Sequence, residues 1–274
     1  MKIRILMLSL IGMIFFNSCS SDSNSTNSTS QNLDPNTILP KKIIEDTYGG
    51  LCYEFFYDQN KINYIQVDYF TNEELGGSGG GKCYFTYTGN LITKIQFGES
   101  GDESDFIDFT YQNNKLVNKK YTSLSGGTYI SDLEYVYNSN NTISVLSNGI
   151  LKTTYTLSTN QSYIVSKDGG NLSYSLTSSP FKNVIGIKEA FLDLGYDVNP
   201  ENVNPESDFL DILFSSTTRN IISITPFPGG QSFDSLHFRY AYNELLFPTN
   251  ITRFYGSNIF GALIYEGTYS IFYQ

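Results

Sequence analysis

Tryptophan is absent from this chain of 274 residues, histidine occurs once, at position 237, and cysteine only three times, at positions 19, 52 and 83. A single histidine excludes a His-rich zinc site and leaves His237 as the sole base for any Ser-His-Asp arrangement. No Gly-x-Ser-x-Gly elbow accompanies it. In Leu236-His-Phe-Arg-Tyr-Ala-Tyr242 the alternation sets His237 opposite Leu236, Phe238 and Tyr240, the position of a strand-surface histidine. Basic residues are also few, 17 against 27 acidic ones, for a formal charge of −10. Such a chain repels nucleic acid phosphates and anionic lipid headgroups, so nucleic acid is not an expected partner. No cofactor is expected either. Glycines 76, 77, 79, 80 and 81 surround Ser78, but no Lys-Ser/Thr pair follows and no helix is predicted after them, so the stretch reads as a hairpin connection and not as a phosphate-binding loop.

Long apolar runs are missing too, with one short exception at the start. Lys2 and Arg4 precede an apolar stretch, Ile5 to Phe16, that is too short to span a hydrocarbon layer of about 30 Å. It reads as the apolar region of a secretory signal over residues 1–18. Phe16-Asn-Ser-Cys19 then resembles the lipobox of bacterial lipoproteins, although it departs from the Leu-Ala-Gly-Cys ideal. That resemblance implies cleavage before Cys19 and acylation of its thiol, hence a membrane partner held through lipid. Several acyl chains at about 0.8 kcal/mol per buried CH₂ make such an anchor persistent. Ser20, where an aspartate would signal inner-membrane retention, favours the outer membrane. Residues 19–40, rich in Ser, Asn and Thr, read as a disordered tether reaching roughly 20 to 25 Å.

The chain is rich in rings, with 22 tyrosines, 20 phenylalanines and 23 glycines, a mixture that suits strands and tight turns. A strand-turn-strand unit recurs, in which an aromatic residue is followed by Asn and then by an apolar position. Its copies are Phe55-x-Tyr57 with Asn60 and Ile62, Phe85-x-Tyr87 with Asn90 and Ile92, and Phe109-x-Tyr111 with Asn114 and Leu116. Tyr135-x-Tyr137 with Asn140 and Ile143, and Tyr155-x-Leu157 with Asn160 and Tyr163, are looser versions. Apolar side chains at alternate positions line one face, and Asn at the turn tolerates positive φ. The expected fold is mainly β: an antiparallel meander of hairpins over residues 41–274, forming a twisted or curved sheet. One or two short helices interrupt it at about 179–214. Ser179-Pro180 offers a helix start, Val184, Ile187, Phe191 and Leu194 recur at helical spacing, and a second short turn is expected over 205–214.

Four stretches resemble lipoproteins of uncharacterised function of the Bacteroidetes type, whose mature domain carries YD-like hairpins. They are Phe85-Thr-Tyr-Thr-Gly-Asn-Leu-Ile-Thr-Lys-Ile95, Ser179-Pro-Phe-Lys-Asn-Val-Ile-Gly186, Arg219-Asn-Ile-Ile-Ser223 and Tyr242-Asn-Glu-Leu-Leu-Phe-Pro-Thr-Asn-Ile251. The resemblance implies an anchored β domain and supplies no catalytic residues.

Three further constellations bear on chemistry. Glu45, Asp46, Glu73, Glu74, Asp102, Glu103, Asp105 and Asp108 offer many carboxylate pairs for a glycosidase, an abundance that any acidic β protein shows. Asp197, Asn199, Glu201 and Asp208 have the spacing of calcium-loop ligands, but Asn202 replaces the turn glycine and Pro200 and Pro205 interrupt the loop. Cys52 and Cys83 are the pair available for a disulfide. Aligning Tyr57 with Tyr87 sets Cys83 opposite Tyr53, so the two thiols face opposite sides with a strand between them, unless a bulge rescues the bond. The leading expectation is therefore a lipid-anchored, non-catalytic outer-membrane module that binds or scaffolds an unknown protein or glycan. A glycosidase-like hydrolase and an assembly protein pairing through open edges such as Tyr269 to Tyr273 are the alternatives. A membrane-spanning barrel is set aside, because strands of five or six residues fall short of the 9 to 11 that it needs.

Overall fold

The structure, a computed structural model, describes residues 34–46, 50–69, 81–98, 105–124, 128–161, 163–192, 219–224, 235–257 and 262–274. Its strands in chain order are β1 (Pro40–Glu45), β2 (Leu51–Asp58), β3 (Lys61–Tyr69), β4 (Gly81–Thr88), β5 (Leu91–Phe97), β6 (Asp105–Gln112), β7 (Lys115–Ser123) and β8 (Tyr129–Tyr137). They continue as β9 (Thr142–Ser147), β10 (Ile150–Leu157), β11 (Ile164–Lys167), β12 (Gly170–Tyr174), β13 (Ile221–Ile224), β14 (Ser235–Tyr242), β15 (Pro248–Ser257) and β16 (Ala262–Tyr273). Among the described residues one short helix, α1 (Ile187–Ala190), lies between β12 and β13. Every strand runs antiparallel to the next, and β1 pairs with both β2 and β16, so the meander closes into a barrel of sixteen strands.

Closure corrects the expected open sheet and removes its edge. Ile43 sits opposite Ile271 and Ile44 opposite Ser270, so Tyr269 to Tyr273 belongs to a paired strand and offers no edge to a partner chain. The closing strand begins at Pro40, and Ile38 and Leu39, read from sequence as tether, are 1% and 5% exposed. Strand length, which set a membrane barrel aside, was underestimated: β15 has 10 residues and β16 has 12.

The repeat units form hairpins as expected, and the first three carry a bulge beside the tyrosine. Register shifts fall between Phe56 and Tyr57, Thr86 and Tyr87, and Thr110 and Tyr111. An extra residue on the return strand adds the local twist that a curving sheet needs. Positive φ falls on Asn113 and Asn114 in one turn, but on Gln59 and Gly89, each one residue before the repeat's Asn, in two others.

One face of the sheet is apolar and buried. Ile62, Ile92, Leu116, Ile143 and Ile251 are all 0% exposed, and they join Phe55, Phe85, Phe109 and Tyr155 in a single core drawn from nearly every strand. In a closed barrel this face is the interior. Each fully buried Ile or Leu contributes about 1.5–3 kcal/mol.

The expected helix from Ser179 onward does not form. Residues 180–183 and 185–186 are turns, and among the described residues helix is confined to α1 after Gly186, whose φ is +85°; Leu194 lies outside them. The Ser179 hydroxyl accepts from the Phe181 amide at 3.2 Å, a local turn bond and not a helix cap. The apolar recurrence was a core signal instead: Val184, Ile187 and Phe191 are buried in the barrel's core. The second helical turn expected over 205–214 lies outside the described residues.

Candidate functional site

The repeat's second aromatic position builds a belt of inward tyrosines at the end of the barrel that carries the tight turns. Tyr57 donates to the carbonyl of Pro40 at 2.7 Å, Tyr111 to Ile92 at 2.8 Å, Tyr240 to Ile221 at 2.6 Å and Tyr273 to Pro248 at 2.6 Å. Tyr174 donates likewise to Ile164, and Tyr87 accepts from the amide of Ile62 at 3.1 Å. Each bond ties an even-numbered strand to the backbone of the preceding odd-numbered one, close to a turn or bulge where a ladder group is left over. Tyr137 occupies the corresponding place on β8, but its hydroxyl is buried without a partner, and β10 carries Leu157 there. Burial raises the phenol pKa throughout the belt, and that of Tyr137 is pushed up to about 12. These are structural phenols, protonated at any physiological pH.

The segment from Ser178 to Leu192 packs across this end and into the core. Phe181 meets Phe55 with ring centroids 5.5 Å apart, and Phe191 meets Phe109 at 6.1 Å. The Asn60 side chain donates to the Asn183 carbonyl at 3.2 Å, and the Ile185 amide donates to the Asn60 carbonyl at 2.9 Å. Asn183 reaches the carbonyls of Pro35 and Ile38 at 2.8 and 2.9 Å. A Cβ on Gly186 would lie 2.9 Å from the Asn90 carbonyl and 3.1 Å from the Tyr87 ring, so glycine is required for this approach. One of the repeat's asparagines, Asn60, thus holds a plug, and the carbonyl of a second, Asn90, lies close against it, roles their turn positions did not suggest.

On β1, β2 and β4 to β8 the outer face carries charges that a lipid-facing surface would not, while exposed apolar residues such as Ile222, Leu263, Tyr265 and Phe272 recur on β13 and β16. A membrane barrel needs an outward apolar band about 25 Å tall around a polar lumen. Here the outward positions of β4 to β8 include Lys82, Lys94, Asp108, Lys120, Asp132 and Glu134, and on β1 and β2 Lys42 pairs with Glu54 at 3.3 Å. The aromatics on this face are interleaved with polar groups. Phe56 stacks on Tyr64 at 4.3 Å, Lys82 lies 5.1 Å from the Tyr64 ring centroid, and Lys94 lies 4.3 Å from that of Phe106.

Of the residues singled out from the sequence, those that are described do not converge, and Glu73, Glu74, Asp102 and Glu103 lie outside the described residues. His237 faces outward on β14, where its Nε2 is 2.7 Å from the Ser235 hydroxyl, and Gly256 opposite Ser235 leaves room for that contact. Glu45 accepts from the Tyr269 hydroxyl at 3.0 Å, Asp105 points inward on β6 and Asp108 outward, so these carboxylates form no facing pair. Cys52 on β2 and Cys83 on β4 are not joined by a disulfide, and β3 lies between them. Cys83 lies across β3 from Phe55, not Tyr53, because the strands of the barrel are staggered, and burial pushes its thiol pKa up to about 12. Cys19, Ser78 and the calcium candidates Asp197, Asn199, Glu201 and Asp208 lie outside the described residues. Among the described residues no group of three His, Cys, Asp or Glu is placed to hold a metal ion.

No protein-family model and no curated protein matches the chain. Sixteen chains of solved structures are similar, two of them porin-like proteins. A porin-like protein from Bacteroides uniformis shares 11% identity at a TM-score of 0.45, covering 88% of this chain and 98% of its own. A porin-like protein from Bacteroides vulgatus shares 14% identity at a TM-score of 0.41, covering 86% of this chain and 98% of its own.

Proposed function

We propose that this protein is a lipid-anchored, non-catalytic module of the cell envelope, tethered through Cys19 to the outer membrane, whose barrel stands in water and binds or scaffolds a partner through its polar outer face. The observation that carries this reading is the inversion of the barrel: the inner face is mainly apolar, with Ile62, Ile92 and Leu116 at 0% exposure and Lys119, Lys167 and Arg253 as buried exceptions packed against rings, while charged residues recur on the outer face of β1, β2 and β4 to β8. Water-inaccessible inward residues such as Ile92 and Leu116 do not line an aqueous channel, and outward lysines and carboxylates would cost about 2–4 kcal/mol or less each at the midplane of a bilayer, according to type. The signal-like N-terminus and the lipobox-like Phe16 to Cys19 supply the anchor.

Photo-crosslinking in cells tests the surface. A crosslinker placed at outward Phe56, Ile130 or Arg239 is expected to give discrete adducts, and one placed at inward Ile62 or Ile92 none. Absence of adducts from every outward position would defeat the reading. Metabolic labelling with palmitate, lost in Cys19→Ala, tests the anchor separately.

A further inference from the structure

Four charged side chains stand in register across four consecutive strands on the outer face: Lys94 of β5, Asp108 of β6, Lys120 of β7 and Asp132 of β8. Their signs alternate, and none forms an ion pair among the described residues. Lys94 is turned onto the Phe106 ring, and Asp132 accepts from the Asn118 side chain. Beside them, Phe106 and the 52%-exposed Ile130 lie in the next row of the sheet.

We propose that this face of β5 to β8 is an interface between two copies of the chain, related by a two-fold axis that lies between the copies and runs along the strands. This deepens the proposed function, on which it rests, by naming a partner for the outer face. A two-fold axis in that direction reverses the row, so that Lys94 meets Asp132 of the second copy and Asp108 meets its Lys120: all four contacts are attractive. An axis across the strands would set each charge on its own like, which costs free energy, so the charges select one geometry. With strands about 4.8 Å apart, the row spans about 14 Å, the scale of a small interface in which charge sets register more than affinity. Anchoring both copies to one membrane raises their effective concentration.

Permuting the row tests the idea at constant composition and net charge. Lys94→Asp with Asp132→Lys gives the order minus, minus, plus, plus, which stays complementary when reversed. Lys94→Asp with Asp108→Lys gives minus, plus, plus, minus, which sets like on like at every contact between copies while keeping two unlike neighbour pairs inside each chain. Sedimentation equilibrium of the full chain is run in a density-matched non-ionic detergent, at up to about 0.1 mM, where a small interface populates its dimer. Circular dichroism confirms that each variant is folded. The wild type and the first double variant are expected to dimerise, and the second to dimerise at least about tenfold more weakly. A monomeric wild type, a folded first variant that fails to dimerise, or a second variant as dimeric as the wild type would overturn the proposal. None of these outcomes removes crosslinked adducts at Phe56 or Arg239, which lie outside this row, so failure here is distinguishable from failure of the outer-face reading.

Discussion

The hydroxyl of Tyr57 on β2 donates to the carbonyl of Pro40 at the start of β1, 2.7 Å away, and so helps fasten the strand that closes the barrel. Its counterpart Tyr137 buries the same hydroxyl with no partner. Removing the two hydroxyls therefore has opposite expected consequences. Tyr57→Phe strands the Pro40 carbonyl and is expected to cost about 1–2 kcal/mol, whereas Tyr137→Phe relieves an unsatisfied group and is expected to be neutral or stabilising. Urea unfolding of both variants checks this; equal losses would mean that the belt's hydrogen bonds contribute nothing.

Gly186→Ala is expected to destabilise by about 1–3 kcal/mol, because the added methyl meets the Asn90 carbonyl at 2.9 Å and the residue is held at φ +85°. Asn60→Ala, which deletes the bond to the Asn183 carbonyl, should cost about 1 kcal/mol. Thermal unfolding measures both. A glycine-to-alanine change without effect would mean that the plug does not pack against the β4–β5 hairpin.

High pH is expected to unfold the barrel cooperatively. The belt phenols have folded pKa values above their ordinary 10.0, and the Cys83 thiol sits at about 12 against 9.0, all through burial. Ionisation thus favours the unfolded chain. Stability should be flat below about pH 9 and fall as pH rises beyond it. Phenolate absorbance should appear for the belt together with the loss of β-sheet signal; belt tyrosines that titrate near 10 in a folded barrel would contradict their burial.

The two thiols of the barrel should resist reagents in the native state. Cys52 is 1% exposed, and Cys83 is disfavoured as a thiolate by its burial. Alkylation of both only after unfolding, with no mass change on prior reduction, is the expected result. A reduction-dependent mass shift would show a bridge across β3.

Much of the barrel wall was legible in the sequence because hairpin chemistry is local. The Phe-x-Tyr, Asn and Ile positions of the first three repeats predict which side chains turn inward, and Ile62, Ile92 and Leu116 lie at 0% exposure. Closure was not legible. β1 is a six-residue strand carrying Lys41 and Lys42, and its partner β16 lies more than 200 residues away, a separation no local pattern encodes. Tyr174, Tyr240 and Tyr273 escaped notice as belt members because bulges and the connection between β12 and β13 disrupt the spacing. The helical spacing of Val184, Ile187 and Phe191 misled for a different reason: Gly186 is needed for its positive φ and close approach, and that ends any helix begun at Ser179. As for the site, single positions such as His237 were placed correctly on the polar face, whereas the row from Lys94 to Asp132 exists only through register between hairpins.

The central claim is that the barrel is a water-exposed body held by its anchor and not a membrane-inserted one. Secreting the chain from Ser20 onward behind an ordinary cleavable signal, in place of residues 1–19, and partitioning it in a cloud-point detergent tests this most directly. The account predicts that the anchored chain enters the detergent phase and that the chain lacking Cys19 moves entirely to the aqueous phase with its β-sheet spectrum intact. Retention of the folded, anchorless chain in the detergent phase would contradict it.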